Sequence, residues 1–584
     1  MVRLFFPPAS PRSDLASILS QSRAAFVGIA LLSAVLNVLL LGGSIYMMLV
    51  YDMVLPGRSI PTLLGLFAMV TAVYVFQALL DHIRSRLLLN VSKSVDIGLS
   101  RRVHRLIGEI ARTRGGDALQ PMRDLDTVRG FLSGGGPTAI IDLPWMFFFI
   151  AVLFILHPLI GATVMAGGLV LVTLTFLTDR LSAAPMERVT ATASQRHLAA
   201  EGSRRHAEVL RALGMEGRVG EGFAQISRQH LTANDRLASV AGTLGGISKV
   251  VRLLLQSTVL TVGALLVMDG RASGGVIFAS SILSSRALAP VEMAIANWRG
   301  FIAARGSWRR LKALMNALPR EAPHHTLPAP VASLSVEGLS VCPPGTDRMT
   351  VRDVSFRAEA GEAIAVLGPS GCGKSTLVRA LVGVTQPATG AIRLDGATLD
   401  QWSADDLGST IGYLPQNVEL LGGTVAANIS RFEPEASSEA IVTAATLAGV
   451  HQLVLQLPDG YNSAVGQDGS ALSAGQRQRI ALARALYGDP FLIVLDEPNS
   501  NLDEAGEKAL ADAVRAATAR GAIVVLVAHR ASILDAVHKV LLMQDGEVRA
   551  FGPKEAIVPD RRRPLRMPDR IGQSTPGLDV DTAA

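Results

Sequence analysis

The chain has 584 residues, more than one hydrophobic core normally organises, so at least two domains are expected. With 49% hydrophobic and only 18% charged residues, and a mean hydropathy of +0.35, the composition excludes an ordinary soluble enzyme and indicates a membrane-embedded part. The net charge of +6 is better explained by arginine on the cytosolic side of a membrane than by nucleic-acid binding.

Apolar stretches in the first half of the chain predict six transmembrane helices. The predicted spans lie at residues 24–51, 60–80, within 143–178 (two spans), 253–268 and 272 to about 296. About 20 apolar residues are enough for a helix to cross a bilayer, and all of these runs except the last lack Asp, Glu, Lys and Arg. His157 and Pro158 divide the run 143–178 into a helical hairpin.

The connections between these spans are of two kinds. Three are short and almost uncharged, whereas those at residues 81–137 and 181–241 are long and rich in arginine. The positive-inside rule places the long connections and both termini in the cytosol. The long connections are either solvated helix surface or spans that continue as helices toward a cytosolic domain. Glycine-containing turns at 114–117 and 213–216 favour the second interpretation, since helical hairpins would reverse there.

The last predicted span carries Arg286 well inside it and Glu292 further along. A charge at mid-bilayer costs about 2.5–3.5 kcal/mol on insertion scales, so such residues usually face a cavity or a partner. Arg286 therefore either lines a central passage or snorkels to the headgroups from a span that meets the cytosol early. A spacing of six does not favour an ion pair between Arg286 and Glu292 on one helix.

Composition shifts divide the chain into five predicted segments. They are an N-terminal cytosolic segment (1–23), a six-span domain with long cytosolic helical extensions (24–317), a proline-rich linker (318–331), a second domain (332–558) and a tail (559–584). The tail is rich in arginine and proline without periodicity, which predicts disorder.

The second domain contains the phosphate-binding pattern G-x-x-x-x-G-K-[ST] at residues 368–376. Its glycines let successive backbone N–H groups turn toward phosphate oxygens. Lys374 would place positive charge on the outer phosphates, and the Ser375 hydroxyl can ligate Mg²⁺. The flanking apolar runs predict a strand before the loop and a helix whose N-terminus faces the anion. The predicted nucleotide contacts are Gly368, Pro369, Ser370, Gly371, Cys372, Gly373, Lys374, Ser375 and Thr376.

Four polar residues follow or end strands and are candidates for hydrolysis. Asp496 and Glu497 end a buried strand, where Asp496 would hold Mg²⁺ and Glu497 would polarise the attacking water. His529 ends a further apolar strand and would contact the γ-phosphate, although a histidine there can also be an ordinary loop residue. Gln416, in a loop, would sense Mg²⁺ or the nucleophilic water; in isolation it would carry no meaning.

The segment Leu-Ser-Ala-Gly-Gln at residues 472–476 predicts a second helix start. Ser473 and Gln476 have the spacing of a capping box, which leaves N–H groups at the helix end exposed. This end is either an ordinary cap or an anion site for another molecule's nucleotide, and the residues alone favour neither. Ser473, Gly475 and Gln476 are the candidate contacts.

The two cysteines, Cys342 and Cys372, suit a reducing cytosol.

In chain order these motifs resemble those of an ABC transporter ATPase. Six spans followed by such a domain are similar to an ABC exporter half-transporter, and the resemblance covers nearly the whole chain. Stretches more specific to the type I secretion exporters are found at 50–57 (Val-Tyr-Asp-Met-Val-Leu-Pro-Gly), 142–145 (Asp-Leu-Pro-Trp), 287–290, 297–299 and 496–503. With no peptidase-like domain before the first span, the chain looks like the subgroup that exports proteases, lipases or S-layer proteins.

This resemblance implies a multi-domain membrane protein with a six-helix α-helical transmembrane domain and an α/β P-loop ABC nucleotide-binding domain. It implies a homodimer in the bacterial inner membrane that sandwiches two ATP molecules with Mg²⁺. Each ATP would lie between Lys374 of one subunit and residues 473–476 of the other. The implied partners are a periplasmic membrane fusion protein, an outer-membrane channel protein and an unfolded secreted protein with a C-terminal signal.

Two other classes share parts of this pattern. Lipid and drug exporters carry every ATPase motif, and only the motifs of the membrane half argue against them. DNA-repair ATPases with the same signature are excluded by the six spans, so nucleic acid is not an expected partner.

Two positions depart from the family pattern. Ala474 replaces a usual glycine, and the aromatic residue that stacks on adenine in many relatives falls near Cys342, which cannot stack.

Overall fold

The computed structural model describes residues 23–113, 117–317, 327–346, 348–528 and 530–558. Most of the predicted N-terminal segment, residues 318–326 of the linker, the tail 559–584 and His529 lie outside the described residues, as do residues 114–116 of the predicted turn at 114–117. The chain divides into two compact units, Met1–Pro319 and Arg320–Ala584.

The described part of the first unit is helical. Its helices are α1 (Arg23–Leu39), α2 (Leu41–Leu49), α3 (Ile60–Thr113), α4 (Gln120–Ser133), α5 (Gly136–Asp142), α6 (Trp145–Leu156), α7 (Pro158–Arg205), α8 (Ala207–Ala212), α9 (Glu216–Met268), α10 (Gly274–Ala296) and α11 (Trp298–Ala317). Between α2 and α3, Val50–Val54 is π-helical and Leu55–Gly57 adds a further helical turn.

Five helical stretches among the described residues are long and apolar enough to cross a membrane. The helices α5 and α6, bent by 41° where they meet, add a sixth if they form one span. The prediction of a helical transmembrane domain is confirmed, and the count of six holds when the bent pair is one span. His157 is extended between α6 and α7, and its Nδ1 accepts a hydrogen bond from the Leu159 N–H at 3.2 Å, as a hairpin requires.

The long basic connections are helical continuations of the spans. The helix α3 has 54 residues and α9 has 53, so each is about 80 Å long at 1.5 Å per residue, far longer than a bilayer is thick. The predicted turn at 213–216 separates α8 from α9, with Gly214 in the left-handed region at φ 62°. Contact between these extensions and the second unit remains a prediction.

The segment before α3 is joined to the start of α10 by Asp52. Its carboxylate accepts hydrogen bonds from the Ser273 hydroxyl at 2.7 Å and from the Gly275 N–H at 2.8 Å, so it caps α10 from another part of the chain. A Cβ at position 275 would lie 2.5 Å from Asp52 Oδ2. The ring of Tyr51 stacks on Phe278 with centroids 4.0 Å apart. The motif at 50–57 thus connects the end of the first span to the last span.

A polar network joins α1, α3 and α5. Arg84 Nη1 donates to Asp142 Oδ2 at 3.0 Å and to Ser33 Oγ at 3.1 Å, while its Nη2 donates to Asp81. Asn37 Nδ2 donates to the other oxygen of Asp142 at 3.2 Å. The first residue of the Asp-Leu-Pro-Trp motif therefore organises three helices.

The two charges of the last span have different surroundings. Glu292 pairs with Arg252 of α9, with Nε and Oε1 2.6 Å apart, in agreement with the expectation that it does not pair with Arg286. Arg286 is exposed on α10 within this chain. The pair between two helices was not predictable from spacing along one of them.

The second unit is an α/β domain with two sheets. Its elements are β1 (Ser333–Val341), β2 (Val351–Glu359), β3 (Ala363–Leu367), α12 (Lys374–Leu381), β4 (Thr389–Leu394), β5 (Ala397–Thr398), α13 (Ala404–Thr410), β6 (Ile411–Leu414), α14 (Val425–Ile429), α15 (Ser438–Leu447), α16 (His451–Leu455), α17 (Ala474–Leu486), β7 (Leu492–Asp496), α18 (Glu504–Ala519), β8 (Ile523–Val527), β9 (Lys539–Gln544), β10 (Glu547–Pro553) and α19 (Lys554–Ile557).

One sheet is antiparallel, in the order β2-β1-β4-β5, and the other has the order β10-β9-β3-β8-β7-β6. In the second sheet β3, β6, β7, β8 and β9 are parallel. Both faces of β3 are buried, since Ala363 and Ala365 belong to one hydrophobic core and Ile364 and Val366 to the other. Burial on both faces explains the uninterrupted apolar run of β3. The loop that follows lies at the carboxyl edge of the sheet, because it leaves β3 at its C-terminal end.

Candidate functional site: a nucleotide-binding centre

The phosphate loop runs from the end of β3 to the start of α12. Gly373 precedes the helix at φ 100°, and a Cβ there would lie 2.5 Å from the Thr350 carbonyl oxygen. A Cβ at Gly368 would lie 2.3 Å from the Met543 carbonyl oxygen. By contrast, the space beside Gly371, at φ 81°, is open. The outer glycines thus let the loop pass close to neighbouring backbone, and the middle one leaves room for a ligand.

Lys374 is buried in this loop, with 6% of its surface exposed. Its Nζ donates to the carbonyl oxygens of Gly368 and Pro369, each at 2.9 Å. Two neutral carbonyl acceptors compensate a buried ammonium only in part, so an anion beside it would be strongly attracted. Lys374 is thus a buried cation at the start of α12, held against the backbone of the loop.

Cys372 belongs to the loop, but its side chain is 5% exposed and packs in the hydrophobic core beside position 368. Only its backbone is therefore available to a nucleotide. Cys342, at the end of β1, is half-buried and is not in a disulfide.

Ser375 and Asp496 meet at the carboxyl edge of the sheet. Ser375 Oγ donates to Asp496 Oδ1 at 3.3 Å, and Asp496 is 1% exposed at the end of β7. Among the described residues Asp496 Oδ2 has no hydrogen-bond partner. Burial raises the pKa of this carboxyl, and the hydrogen bond from Ser375 opposes the shift.

An unsatisfied buried carboxylate oxygen next to a hydroxyl fits a hard divalent cation. The described residues contain no group of three or more His, Cys, Asp or Glu side chains that could hold a metal. Two protein oxygens suit Mg²⁺ in particular, because this ion usually keeps several waters and takes its other ligands from substrate phosphates.

Glu497 follows Asp496 directly and is half-buried. Its backbone lies in the left-handed region at φ 51°, which a residue with a Cβ adopts only at a cost in free energy. The side chain of Gln478, on α17, donates to the Pro498 carbonyl and helps to fix the turn after Glu497. Neither feature has a signal in the sequence that we could identify.

Gln416 is exposed in the loop after β6, and His529, whose position follows β8, lies outside the described residues. The carboxyl ends of β3, β6, β7 and β8 meet at one edge, so the sheet brings the loop of Gln416 to the same side as Asp496.

Sequence reasoning missed Tyr413 on β6. Its pKa is raised by burial and by the charge of Asp496, while a hydrogen bond from Arg379 opposes the shift.

The predicted capping box at the start of α17 is confirmed. Ser473 Oγ accepts from the Gln476 N–H at 3.2 Å, and Gln476 Oε1 accepts from the Ser473 N–H at 2.9 Å. In the first turn of a helix the leading N–H groups have no helical acceptor, so those of Ala474 and Gly475 point out of the helix end. Ser473 is exposed. The exposed end of this helix can therefore accept an anion.

Comparison with known proteins agrees with these motifs. Two family models match, the ABC transporter model over residues 351–500 and the ABC transporter transmembrane region over residues 26–291. The chain is 49% identical, over 557 residues, to the type I secretion system ATP-binding protein PrsD of Rhizobium meliloti (strain 1021). That alignment covers 95% of this chain and 96% of the relative.

More distant relatives include the cyclolysin secretion/processing ATP-binding protein CyaB of Bordetella pertussis, at 30% identity over 91% of this chain and 75% of the relative. The structure of a bacterial Atm1-family ABC exporter with ATP bound has a TM-score of 0.79 at 21% identity, covering 91% of this chain and 95% of that chain, which shows a shared fold. The chain therefore belongs to the ABC transporters, in the branch of the type I secretion ATP-binding proteins, and is a multi-pass membrane ATPase that binds ATP and couples its hydrolysis to transport.

Proposed function

We propose that this chain is the ABC component of a type I secretion system that exports an unfolded protein across the bacterial inner membrane. The observation that carries the proposal is the 49% identity to a type I secretion ATP-binding protein over 95% of the chain. The stretches around Asp52 and Asp142 support it, because they resemble those of the type I secretion exporters and both aspartates make hydrogen bonds between helices of the membrane unit. The cargo would carry a C-terminal signal, and a periplasmic membrane fusion protein and an outer-membrane channel would complete the path.

The contacts above suggest a division of labour in hydrolysis. Backbone N–H groups of the loop and Lys374 would hold the phosphates of ATP. Ser375 and Asp496 would hold Mg²⁺, which supplies charge compensation on the phosphate oxygens, and Gln416 would approach it from the next strand. Glu497 would accept a proton from the water that attacks the γ-phosphorus as the bond to the β–γ bridging oxygen breaks, giving ADP and phosphate.

The exposed start of α17 would serve the nucleotide of a second subunit. Ser473, Gly475 and Gln476 would face the γ-phosphate held by the partner's loop, so that a homodimer encloses two ATP molecules. Closing and opening of these two sites would switch the paired spans between inward- and outward-open states. The nucleotide-binding domain would then lie in the cytosol, on the side favoured by the arginine-rich helices.

A secretome comparison tests the function. Cells would produce the wild-type chain, the Glu497→Gln variant or the Glu504→Gln variant, the last being a control because Glu504 is exposed on the first turn of α18. General-base roles contribute about 10²–10⁴-fold, so Glu497→Gln should bind ATP but lose nearly all turnover. We expect one or a few proteins to disappear from the medium of the Glu497→Gln cells only. An unchanged secretome together with altered membrane lipids would instead identify a lipid exporter.

A further inference from the structure

The segment that follows α14 has an unusual backbone. Arg431 and Phe432 are consecutive non-glycine residues in the left-handed region, at φ 56° and 61°. A Cβ makes this conformation unfavourable, and two such residues in a row persist only where surrounding contacts impose them. The contacts made by these two side chains account for the conformation.

The guanidinium of Arg431 is bound by backbone carbonyls from three separate elements. Its Nε donates to the Arg484 carbonyl oxygen at 3.0 Å and its Nη2 to that of Ala485 at 3.3 Å, in the last turn of α17. Its Nη1 donates to Gly408 in α13 at 2.6 Å and to Ile411, the first residue of β6, at 3.3 Å. Burial lowers the pKa of Arg431, with the charge of Arg484 acting in the same direction.

Two of the three elements joined by this guanidinium, β6 and α17, are in close contact. Gly412, the second residue of β6, approaches the end of α17 so closely that a Cβ would lie 2.0 Å from the Ala485 carbonyl oxygen. Carbonyls in the last turn of a helix lack helical donors and carry the negative end of the helix dipole, so a cation there is stabilising. An arginine fork can satisfy several of them at once, whereas a lysine presents a compact point charge.

The neighbouring residue extends the connection to the loop after Gln416. A ring carbon of Phe432 lies 3.1 Å from the position of a Cβ on Gly423. The same stretch contains Asn428, which is fully buried and exchanges two hydrogen bonds with the backbone of Leu421, at 2.9 and 3.0 Å. The segment 428–432 therefore contacts the loop that follows Gln416, the start of β6 and the end of α17.

We propose that Arg431 is a positioning residue that couples Gln416 to Ser473. Gln416 follows the strand whose first residue Arg431 holds, and Ser473 begins the helix whose last turn it holds. This inference rests on the proposed function, in which Gln416 senses the subunit's own nucleotide and Ser473 serves the nucleotide of the partner. Arg431 then connects the two ATP sites of the dimer, because its guanidinium binds both the start of β6 and the last turn of α17.

The ATPase kinetics of the full-length chain in lipid nanodiscs test this role. The variants are Arg431→Gln and Arg431→Lys. Arg520→Gln is the matched control, because Arg520 also binds a backbone carbonyl, that of Pro490, and pairs with Asp489 away from the site. Rates are expressed per ATP-binding site, titrated with a non-hydrolysed ATP analogue, so that unfolded protein does not contribute.

We expect Arg431→Gln to lower kcat by about 10- to 100-fold, since small misplacements of catalytic groups have effects of this size, with KM for ATP within threefold of wild type. Arg431→Lys should restore part of the rate, and Arg520→Gln should retain it. A kcat for Arg431→Gln within twofold of wild type would overturn the proposal, as would a rise in KM with kcat unchanged. Absence of hydrolysis in the wild-type chain and the Arg520→Gln variant alike would fault the proposed function itself.

Discussion

Replacing Asp496 by asparagine should stabilise the nucleotide-free protein and abolish its hydrolysis. Asp496 Oδ2 is buried and has no hydrogen-bond partner among the described residues, and the bond from Ser375 reaches only Oδ1. An unsatisfied buried polar atom costs about 1–3 kcal/mol. The neutral amide of asparagine keeps part of this cost, so we expect Asp496→Asn to raise the free energy of unfolding by about 1–2 kcal/mol. For a domain of about 150–250 residues, 1 kcal/mol corresponds to about 2–4 °C in Tm.

The sign of the pH dependence follows from the direction of the pKa. Burial raises the pKa of Asp496 in the folded state, so the folded chain holds its proton to higher pH than the unfolded chain. The free-energy cost of burying the ionised carboxylate is therefore absent at pH values below the pKa that Asp496 has in the unfolded chain. It grows as the pH rises toward the folded pKa and is constant above it. The advantage of Asp496→Asn should be largest in mildly alkaline buffer and should shrink as the pH is lowered.

Calorimetry of the full-length chain in detergent, without Mg²⁺ or nucleotide, measures this difference. Asp512→Asn is the control, since it removes an equal charge from an exposed position on α18. Adding Mg²⁺ and ATP should make the wild-type chain melt at a higher temperature than Asp496→Asn. Ligand binding raises the free energy of unfolding of the wild-type chain by about 2.7 kcal/mol at a ligand concentration 100 times Kd. If Asp496→Asn melts at or below the wild-type temperature at pH 8 without ligands, the carboxylate is not a source of instability and the reasoning fails.

Three further predictions concern the spans and the composite site. Asp52→Ala should lower stability in denaturant titrations by about 1.5–3 kcal/mol, since two hydrogen bonds to a charged group are lost, and an unchanged midpoint would contradict the cap on α10. Arg286→Ala should reduce exported cargo while leaving ATPase activity intact; normal export, with a thiol introduced by Arg286→Cys shielded in every nucleotide state, would exclude a place on the path. Mixing Lys374→Ala and Ser473→Arg subunits should restore about one quarter of the wild-type sites, because half of the random dimers carry one intact site. No activity in the mixture would refute sites shared between subunits.

The general architecture was predictable because it depends on local patterns. Long apolar runs identified the spans, and the fold class that the family resemblance implies is confirmed. The capping box at Ser473 was also predictable, since both of its hydrogen bonds join residues three positions apart. Motifs of this kind carry their own geometry, and a single sequence is enough to find them.

Contacts between distant residues were not predictable in this way. The pairing of Arg252 with Glu292 joins two helices, and the cap of Asp52 on α10 spans more than two hundred positions. Nothing in the local sequence specifies either partner. The stretch around Asp52 is recognisable as a motif in the sequence, but the π-helical turn that aims its carboxylate at α10 depends on packing that only the folded chain provides.

The helix α17 explains why the separate motifs of the ATPase domain need a rigid connection. Its first turn presents Ser473, its side contacts the turn after Glu497 through Gln478, and its last turn is held by Arg431. A helix transmits displacement along its axis far better than a loop, because each N–H is bonded four residues back. In the proposed dimer, a movement at one nucleotide would be carried along this helix to the surface that would face the other nucleotide. The left-handed backbone at Glu497 and Arg431 lies where this helix is anchored.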